Sequence, residues 1–340
     1  MLPDKFIRKI IFSPSSISEI IRLLGAGRGG FLSARRLRRL VHSRFGHLSR
    51  DTGRKEFPGV SRIEIGGSAY YLRLYRLSDI VAALCCLWAS RWARREGVVV
   101  PVVRQTCLAG VGGHRCLAVL EDELQGRPIV KWTPRLAAGI AAGVAAFHSV
   151  TQLRLGRFKP FVKIRRQNIY IAQFRRALEH EELFTDEQRA AIQQAALWLD
   201  EADFTGDLVF SHGDLHGGNL LDVGGGRTGW LDLDLVRFRP RRLDIAAVEY
   251  GLLENDPGNV AAFEEIYFHR HPGQWKAWRR HRLRWFVLYS LFKAVRFLVP
   301  RKGGGLPGKK GPTGEQRRRY GLAHLERAET LLAAHRRDTG

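Results

Sequence analysis

The sequence predicts a two-lobed α/β chain with a small β-rich N-lobe and a larger helical C-lobe. Three observations carry this. Residues 60–75 read as two strands around a Gly66-Gly67 turn, as in a hairpin. Residues 135–148 and 185–200, and later the Trp- and Phe-rich stretch to about 299, recur with helical period. Between these helical regions lies a glycine-broken segment, 210–234, that concentrates polar residues suited to chemistry. Of the 340 residues 45% are apolar, which is enough to fill the core of a chain this long.

Within that segment, residues 208–211 read as a strand, followed by a Gly-containing loop that presents Asp214 and, five positions on, Asn219. Leu220-Leu221 reads as a short buried strand, Gly224-Gly225-Gly226 as a turn, and residues 229–233 as a second strand carrying Asp232. The two strands make a hairpin that brings Asn219 and Asp232 near each other. Phosphoryl transfer from ATP needs an acidic group to orient the attacking hydroxyl, and oxygen ligands to hold Mg²⁺ against the phosphates. Asp214 suits the first role, and Asn219 with Asp232 the second. Asp234 and His216 either line the site or are solvated loop positions, and an Asp-rich surface loop is the alternative for the whole segment.

At these residues the sequence resembles the kinase-like phosphotransferases that include aminoglycoside and choline kinases. His212-Gly213-Asp214 with Asn219 is similar to their catalytic loop, Asp232 to their metal aspartate, and Leu243-Asp244-Ile245-Ala246 to the segment that follows it. The resemblance implies a protein-kinase-like fold and ATP with Mg²⁺ as cofactors. It also implies Asp214 as the catalytic residue with His212 beside it, and Asn219, Asp232 and Asp234 as metal ligands. His212 reads as a histidine that braces the loop rather than one that carries a proton.

The N-lobe narrows the resemblance. Residues 62–76 resemble the nucleotide-lobe hairpin of the lipopolysaccharide core kinases, which phosphorylate Kdo or heptose, and this makes Arg73 the cation that grips the nucleotide phosphates. An arginine forks two donors onto phosphate oxygens where a lysine offers a point charge. After a strand over 116–120, Glu121-Asp122-Glu123 fall where the resembling families have the hinge whose backbone contacts adenine. Arg73, Glu121, Asp122 and Glu123 are therefore the expected nucleotide-binding set, with a solvated linker as the alternative for the acidic triplet. Two features depart from the family pattern. The helix expected over 78–95 should carry a glutamate that fixes the phosphate-binding cation, yet Cys86 stands there, leaving only Asp79 and Glu96 at its ends. No GxGxxG precedes Val60.

Fifty-six Lys plus Arg against 33 Asp plus Glu give a formal charge of +23, which favours anionic partners: a phospholipid surface, nucleic acid or an anionic glycolipid. A solvated basic face is the other reading. Aminoglycosides are polycations that need an acidic pocket, so a phosphorylated or carboxylated saccharide suits this chain better. No dedicated nucleic-acid motif accompanies the charge, and Trp275, Trp278, Trp285 and Phe286 sit at the helical spacing of a core. Cys85, Cys86, Cys107 and Cys116 have neither zinc-like spacing nor a secreted disulfide pattern, which points to a reducing compartment. Residues 1–24 lack a signal-peptide pattern, and the apolar runs at 80–89 and 285–299 are too short to span a bilayer, the second being broken by Lys293 and Arg296. The expected location is cytoplasmic, with peripheral contact on the inner face of the cytoplasmic membrane as an option. That option rests on a basic amphipathic helix over 31–45, with Leu37, Leu40, Val41 and Phe45 on one side and Arg35, Arg36, Arg38 and Arg39 around it. Such a helix either meets anionic lipid or packs on the N-lobe with its arginines in water.

The expected organisation is an N-terminal helical extension at 1–50, a nucleotide-binding N-lobe and hinge at 51–126, a catalytic C-lobe at 127–300 with inserted helices at about 150–207, and a basic linker with a C-terminal helix at 301–340. Capping-box patterns open helices at Ser16 with Glu19 and at Thr185 with Gln188. Lysines and arginines surround Phe161, Ile164, Ile169, Tyr170 and Phe174, a Gly-, Pro- and Lys-rich linker covers 301–314, and a final helix covers about 315–336. The leading functional expectation is an ATP-dependent kinase acting on a sugar hydroxyl of the lipopolysaccharide core or a related bacterial glycolipid. The alternatives are a small-molecule phosphotransferase and, because the helix glutamate is missing, a catalytically weak kinase-like scaffold at the membrane.

Overall fold

The computed structural model describes residues 34–45, 59–76, 79–111, 114–150, 163–164, 167–201, 208–300 and 314–339. The expected helix opened by Ser16, the aromatic-basic residue Phe161 and the 301–313 linker lie outside these residues. The chain divides into two compact units: the first takes residues 1–126 and 229–235, the second most of the remainder.

The first unit opens with α1 (Ala34–Phe45), followed by the hairpin β1 (Gly59–Ile65) and β2 (Ser68–Arg76). Gly66 and Gly67 form the turn at φ 60° and 76°, the left-handed pair that matches the twist of two-residue hairpins. Helix α2 (Ile80–Arg95) comes next, then β3 (Val103–Val111) and β4 (His114–Asp122). The four strands form one sheet in the order β1-β2-β4-β3, with antiparallel neighbours. The chain turns at Gly97, φ 79°, and Val99 makes an isolated bridge to Gly229. The strand expected over 116–120 is longer, running from His114 to Asp122, so Glu121 and Asp122 are still strand.

Leu37 and Val41 of α1 are fully buried in the same hydrophobic cluster as Leu72, Leu74, Cys116, Ala118 and Leu120 of the sheet. Arg35, Arg36 and Arg39 stay exposed, and Arg38 Nε donates to the Leu108 carbonyl at 3.2 Å. The basic helix is thus packed on the sheet with its arginines turned outward.

The second unit is mostly helical. Short β5 (Arg127–Pro128) precedes α3 (Pro134–His148), which Thr133 caps by accepting from Leu136 N at 3.3 Å, with Pro134 in the first turn. After β6 (Lys163–Ile164) come α4 (Gln167–Leu178) and α5 (Asp186–Glu201). The capping box read at Thr185 is formed in both directions. Thr185 Oγ1 accepts from Gln188 N at 3.3 Å, and Gln188 Oε1 accepts from Thr185 N at 3.0 Å.

The glycine-broken segment runs through β7 (Leu208–Ser211), β8 (Leu220–Asp222) and β9 (Thr228–Trp230), and β10 (Arg237–Pro240) returns antiparallel to β7. Then α6 (Arg241–Ala246) passes through a π-helical turn at 247–252 into α7 (Pro257–Arg270), α8 (Trp275–Leu298) and α9 (Gly314–Thr339). Stacked Phe147 and Phe210, 5.6 Å between ring centroids, tie α3 to β7. No helix among the described residues is long and apolar enough to cross a membrane.

Candidate active site

In the first unit the site is built on Arg73 of β2. Tyr71 pairs with Glu121 across β2 and β4, and Arg73 pairs with Val119, so Arg73 and Glu121 lie two residues apart on one sheet face. Arg73 Nε donates to Glu121 Oε1, and Arg73 Nη1 lies 3.7 Å from both Asp232 Oδ1 and Asp234 Oδ2. The Tyr75 hydroxyl donates to Asp234 Oδ1 at 2.9 Å, and the Cys86 thiol hydrogen-bonds the same carboxylate. Three carboxylates therefore crowd one guanidinium.

The electrostatics follow from that crowding. Burial pulls the Arg73 guanidinium down, but Glu121 and the neighbouring acidic groups outweigh it and hold its pKa above the ordinary value. Burial pushes the Glu121 carboxyl up, opposed by Arg73. It pushes Asp234 up as well, with Arg73 opposing and the like charge of Asp232 adding to the rise. The Cys86 thiol and the Tyr75 hydroxyl are driven well above their ordinary values, chiefly by burial, so both stay protonated donors.

The sequence placed Asp232 within a strand. It lies two residues past β9, in left-handed backbone at φ 56°, and a 3₁₀ turn at 233–235 follows. The Trp230 amide donates to the Val99 carbonyl at 2.8 Å, which anchors this segment in the first unit. Asp122 and Glu123 lie apart from the Arg73 cluster, in surface ion pairs with Arg104 at 2.6 Å and Arg62 at 2.7 Å. Their backbone N–H groups are bonded to the Val102 and Ala69 carbonyls. The helix offers no carboxylate beside Arg73: Asp79 and Glu96 cap the two ends of α2, Cys86 fills the expected position, and the glutamate comes from β4 instead.

In the second unit the loop after β7 shapes the other half of the predicted set. His212 is buried, and its Nδ1 accepts from the Asp214 amide at 3.3 Å, while Gly213 takes φ 83° to let the chain turn. Asn219 Nδ2 donates to the Asp214 carbonyl at 2.9 Å, which engages the amide nitrogen and makes the side-chain oxygen its ligand end. His216 Nδ1 accepts from Gly218 N at 3.1 Å, and its Nε2 lies 3.8 Å from Asp214 Oδ2.

Of the two cations that interrupt the apolar run of α8, Arg296 reaches this loop. Arg296 Nη2 lies 3.8 Å from Asp214 Oδ1. Lys293, one turn earlier, sits over the Tyr289 ring with its ammonium 5.5 Å from the centroid. Burial pulls that ammonium down to about 8, with Arg296 adding to the fall and Asp214 opposing it. The available signal was two cations three residues apart inside the otherwise apolar run that ends this helix.

A further set beneath the loop was also missed. Arg241 Nη1 donates to the Tyr267 hydroxyl at 2.9 Å, Tyr267 and His148 Nδ1 are 2.6 Å apart, and His148 Nε2 lies 2.9 Å from Asp244 Oδ2. Burial and the neighbouring arginines hold His148 far below its ordinary pKa, so it is neutral: Nδ1 accepts from Tyr267, and Nε2 donates to Asp244. Asp244 also pairs with Arg239. Asp244 thus joins α3 and α7 to the end of β10.

Asp232, Asp234 and the Asn219 amide are all oxygen donors, the kind a hard divalent cation takes. No group of three or more His, Cys, Asp or Glu side chains is arranged around a metal position among the described residues.

No curated relative matches the chain by sequence. Among solved structures, the amicoumacin kinase hAmiN in complex with AMP-PNP, Ca²⁺ and Ami is similar at TM-score 0.53 and 14% identity, over 85% of this chain and 93% of that one. An aminoglycoside phosphotransferase from Alicyclobacillus acidocaldarius is similar at TM-score 0.53 and 16% identity, over 82% and 92% of the two chains. A ternary complex of the aminoglycoside phosphotransferase APH(4)-Ia with ADP and hygromycin B aligns at TM-score 0.56 and 13% identity, over 87% and 97%. These likenesses give the fold, a kinase-like α/β architecture with a small β-sheet region and a larger helical region. The phosphotransferase enzyme family, APH, matches residues 53–283, more than half of the chain and the whole stretch that carries Arg73, Asp214, Asn219 and Asp232, and the chain belongs to that family.

Proposed function

We propose that the protein transfers the γ-phosphoryl group of ATP to a hydroxyl of an anionic saccharide, in the lipopolysaccharide core or a related bacterial glycolipid. The observation that carries the acceptor class is the placement of Arg296 3.8 Å from Asp214, with a second cation, Lys293, one turn earlier on the same helix. A polycationic acceptor would meet repulsion at its reacting hydroxyl, whereas one bearing a phosphate or carboxylate near that hydroxyl would be drawn in.

In this reading Asp214 accepts the proton of the acceptor hydroxyl as its oxygen attacks the γ-phosphorus. The bond from that phosphorus to the β–γ bridging oxygen breaks, and ADP leaves. His212 and Asn219 hold Asp214 through its backbone on either side, and His216 stands at the second carboxylate oxygen. Arg73 grips the nucleotide phosphates with a fork of donors. A divalent cation held by Asp232, Asp234 and Asn219 would neutralise charge on those phosphates. Such an arrangement works by positioning and charge in place of covalent chemistry.

A glycolipid acceptor puts the work at the inner face of the cytoplasmic membrane, with the +23 charge favouring contact with anionic lipid. A small soluble acceptor is the second reading, favoured by the antibiotic-directed structural neighbours. The test follows label from γ-labelled ATP into a bacterial glycolipid extract, a phosphorylated or carboxylated sugar panel, and aminoglycosides, with wild type beside Asp214→Ala. Label in anionic sugar or lipid, lost in the variant, is the expected result. Preferential labelling of aminoglycosides overturns the acceptor class.

A further inference from the structure

We propose that Glu121, from strand β4, is the positioning carboxylate of the nucleotide site, holding the Arg73 guanidinium in place for phosphate oxygens where helix α2 offers only Cys86. The inference rests on reading Arg73 as the nucleotide cation and adds a residue that acts through it.

Glu121 and Arg73 share one face of adjacent strands, so their relative position is set by the sheet and not by a mobile loop. Glu121 takes the Nε donor, while Nη1 faces Asp232 and Asp234. The nearest ion-pair contacts of the guanidinium are thus divided between Nε, toward Glu121, and Nη1, toward the two aspartates. A guanidinium carries five N–H donors in a fixed fork, so fixing the Nε edge aims the remaining ones.

The division of labour among the three carboxylates follows from what each would do when MgATP arrives. Asp232 and Asp234 are the candidate metal ligands, and a divalent cation competes with Arg73 for them. Glu121 is the carboxylate that remains with Arg73 throughout, and its deep burial means that the pair gains strength from a low local dielectric. Cys86 marks where a helix carboxylate would have reached the same cluster, since its thiol already bonds Asp234 and feels both Arg73 and Glu121. The two solutions are mutually exclusive by charge. A second glutamate at Cys86 beside Glu121 would put four carboxylates around one arginine.

The test measures MgATP affinity with a fluorescent ATP analogue and, separately, kcat and KM, in variants whose folding is checked by circular dichroism. Glu121→Gln keeps the shape and loses the charge, and is expected to weaken MgATP binding by about tenfold or more. Glu121→Ala is expected to weaken it further, and adding Cys86→Glu to Glu121→Ala to restore most of the loss, an effect that a merely structural glutamate in the sheet would not give. Glu121→Gln with wild-type affinity overturns the proposal, as does a folded double variant no tighter than Glu121→Ala alone. If Glu121→Gln does not fold, Glu121→Asp decides: it keeps the charge 1 methylene short of Arg73 and is expected to raise the KM for ATP, and an unchanged KM overturns the proposal. Arg73→Ala separates the two levels. Unchanged affinity there removes the nucleotide role of Arg73 itself, whereas a loss there with no effect at Glu121 removes only the positioning role.

Discussion

Arg296 Nη2 stands 3.8 Å from Asp214 Oδ1, so the acid that would activate the acceptor is met by a cation from a helix some eighty residues further along the chain. The same helix brings Lys293 one turn earlier, and the two share a face. If Asp214 is the proposed catalytic carboxylate, this neighbour favours an acceptor that brings its own negative charge.

Neutralising these cations is expected to act on the acceptor. Arg296→Gln and Lys293→Met should each raise the KM for an anionic acceptor by about tenfold or more, the size of a lost charge-assisted hydrogen bond. Steady-state kinetics with a phosphorylated and a neutral sugar checks this, and an equal effect on both sugars would count against an anion subsite.

Lys293 also gives the site a pH signature. Its ammonium loses its proton at about 8, in the company of Arg296, Arg239 and Asp214, and with His324 of α9 nearby. The anionic acceptor should therefore bind more weakly as pH rises through about 8, and Lys293→Met should flatten that profile. A profile unaffected by the substitution would show that another group titrates.

Asp232→Asn is expected to remove the MgATP-induced thermal shift while leaving the protein folded. Asparagine tolerates the left-handed backbone that Asp232 adopts at φ 56°, whereas alanine there would add about 1 kcal/mol of strain and confuse the result. A thermal shift equal to wild type would end the metal assignment.

Glu249 supplies a prediction about stability. It is fully buried in the π-helical turn, accepts from Trp278 Nε1 at 3.1 Å and lies 3.0 Å from Arg282 Nε. Burial pushes its carboxyl up to about 8 against the opposing pull of Arg282. Between about 4.5 and about 8 the folded state keeps a proton that the unfolded chain releases. The associated stability is present at low pH and lost as pH rises through about 8. Urea unfolding at a series of pH values should show that loss, and Glu249→Gln should reduce it.

Helix α1 separates packing from surface charge. Leu37→Ala should cost about 2–5 kcal/mol, because Leu37 is fully buried in the sheet's hydrophobic cluster. Reversing the exposed Arg35, Arg36 and Arg39 to Glu should change stability by less than about 1 kcal/mol per site. If this face meets anionic lipid, the same reversal should release the protein from anionic vesicles at low salt. Sedimentation unchanged by the reversal would place any lipid contact elsewhere.

What was legible in the sequence was local. The hairpin around Gly66-Gly67, the capping box at Thr185 and the helix from Pro134 to His148 all declare themselves within a few residues, and each is present. The loop of Asp214 and Asn219 could be read from spacing because its geometry is set by glycines within the loop itself. The partner of Arg73 could not, because Glu121 reaches it through strand register, a long-range property that no local pattern encodes. The partners of Arg296 and of Asp244 stayed hidden for the same reason, each resting on contacts across many residues. Asp232 was assigned to a strand because the apolar pattern runs on past Trp230, and its positive φ leaves no mark in a pattern of hydrophobicity.

The return of residues 229–235 to the first unit has a consequence for how the protein is made. Trp230 and Leu233 are buried there, and Asp232 and Asp234 come with them, more than a hundred residues after the sheet is complete. On a ribosome the sheet and α2 therefore emerge as an incomplete body that must wait for a late segment before the acidic cluster around Arg73 can close. Loop closure over such a span is slow compared with hairpin formation. A truncated product ending before this segment would carry Arg73 and Glu121 but neither Asp232 nor Asp234, so nascent fragments lack the pair of aspartates proposed to hold the metal.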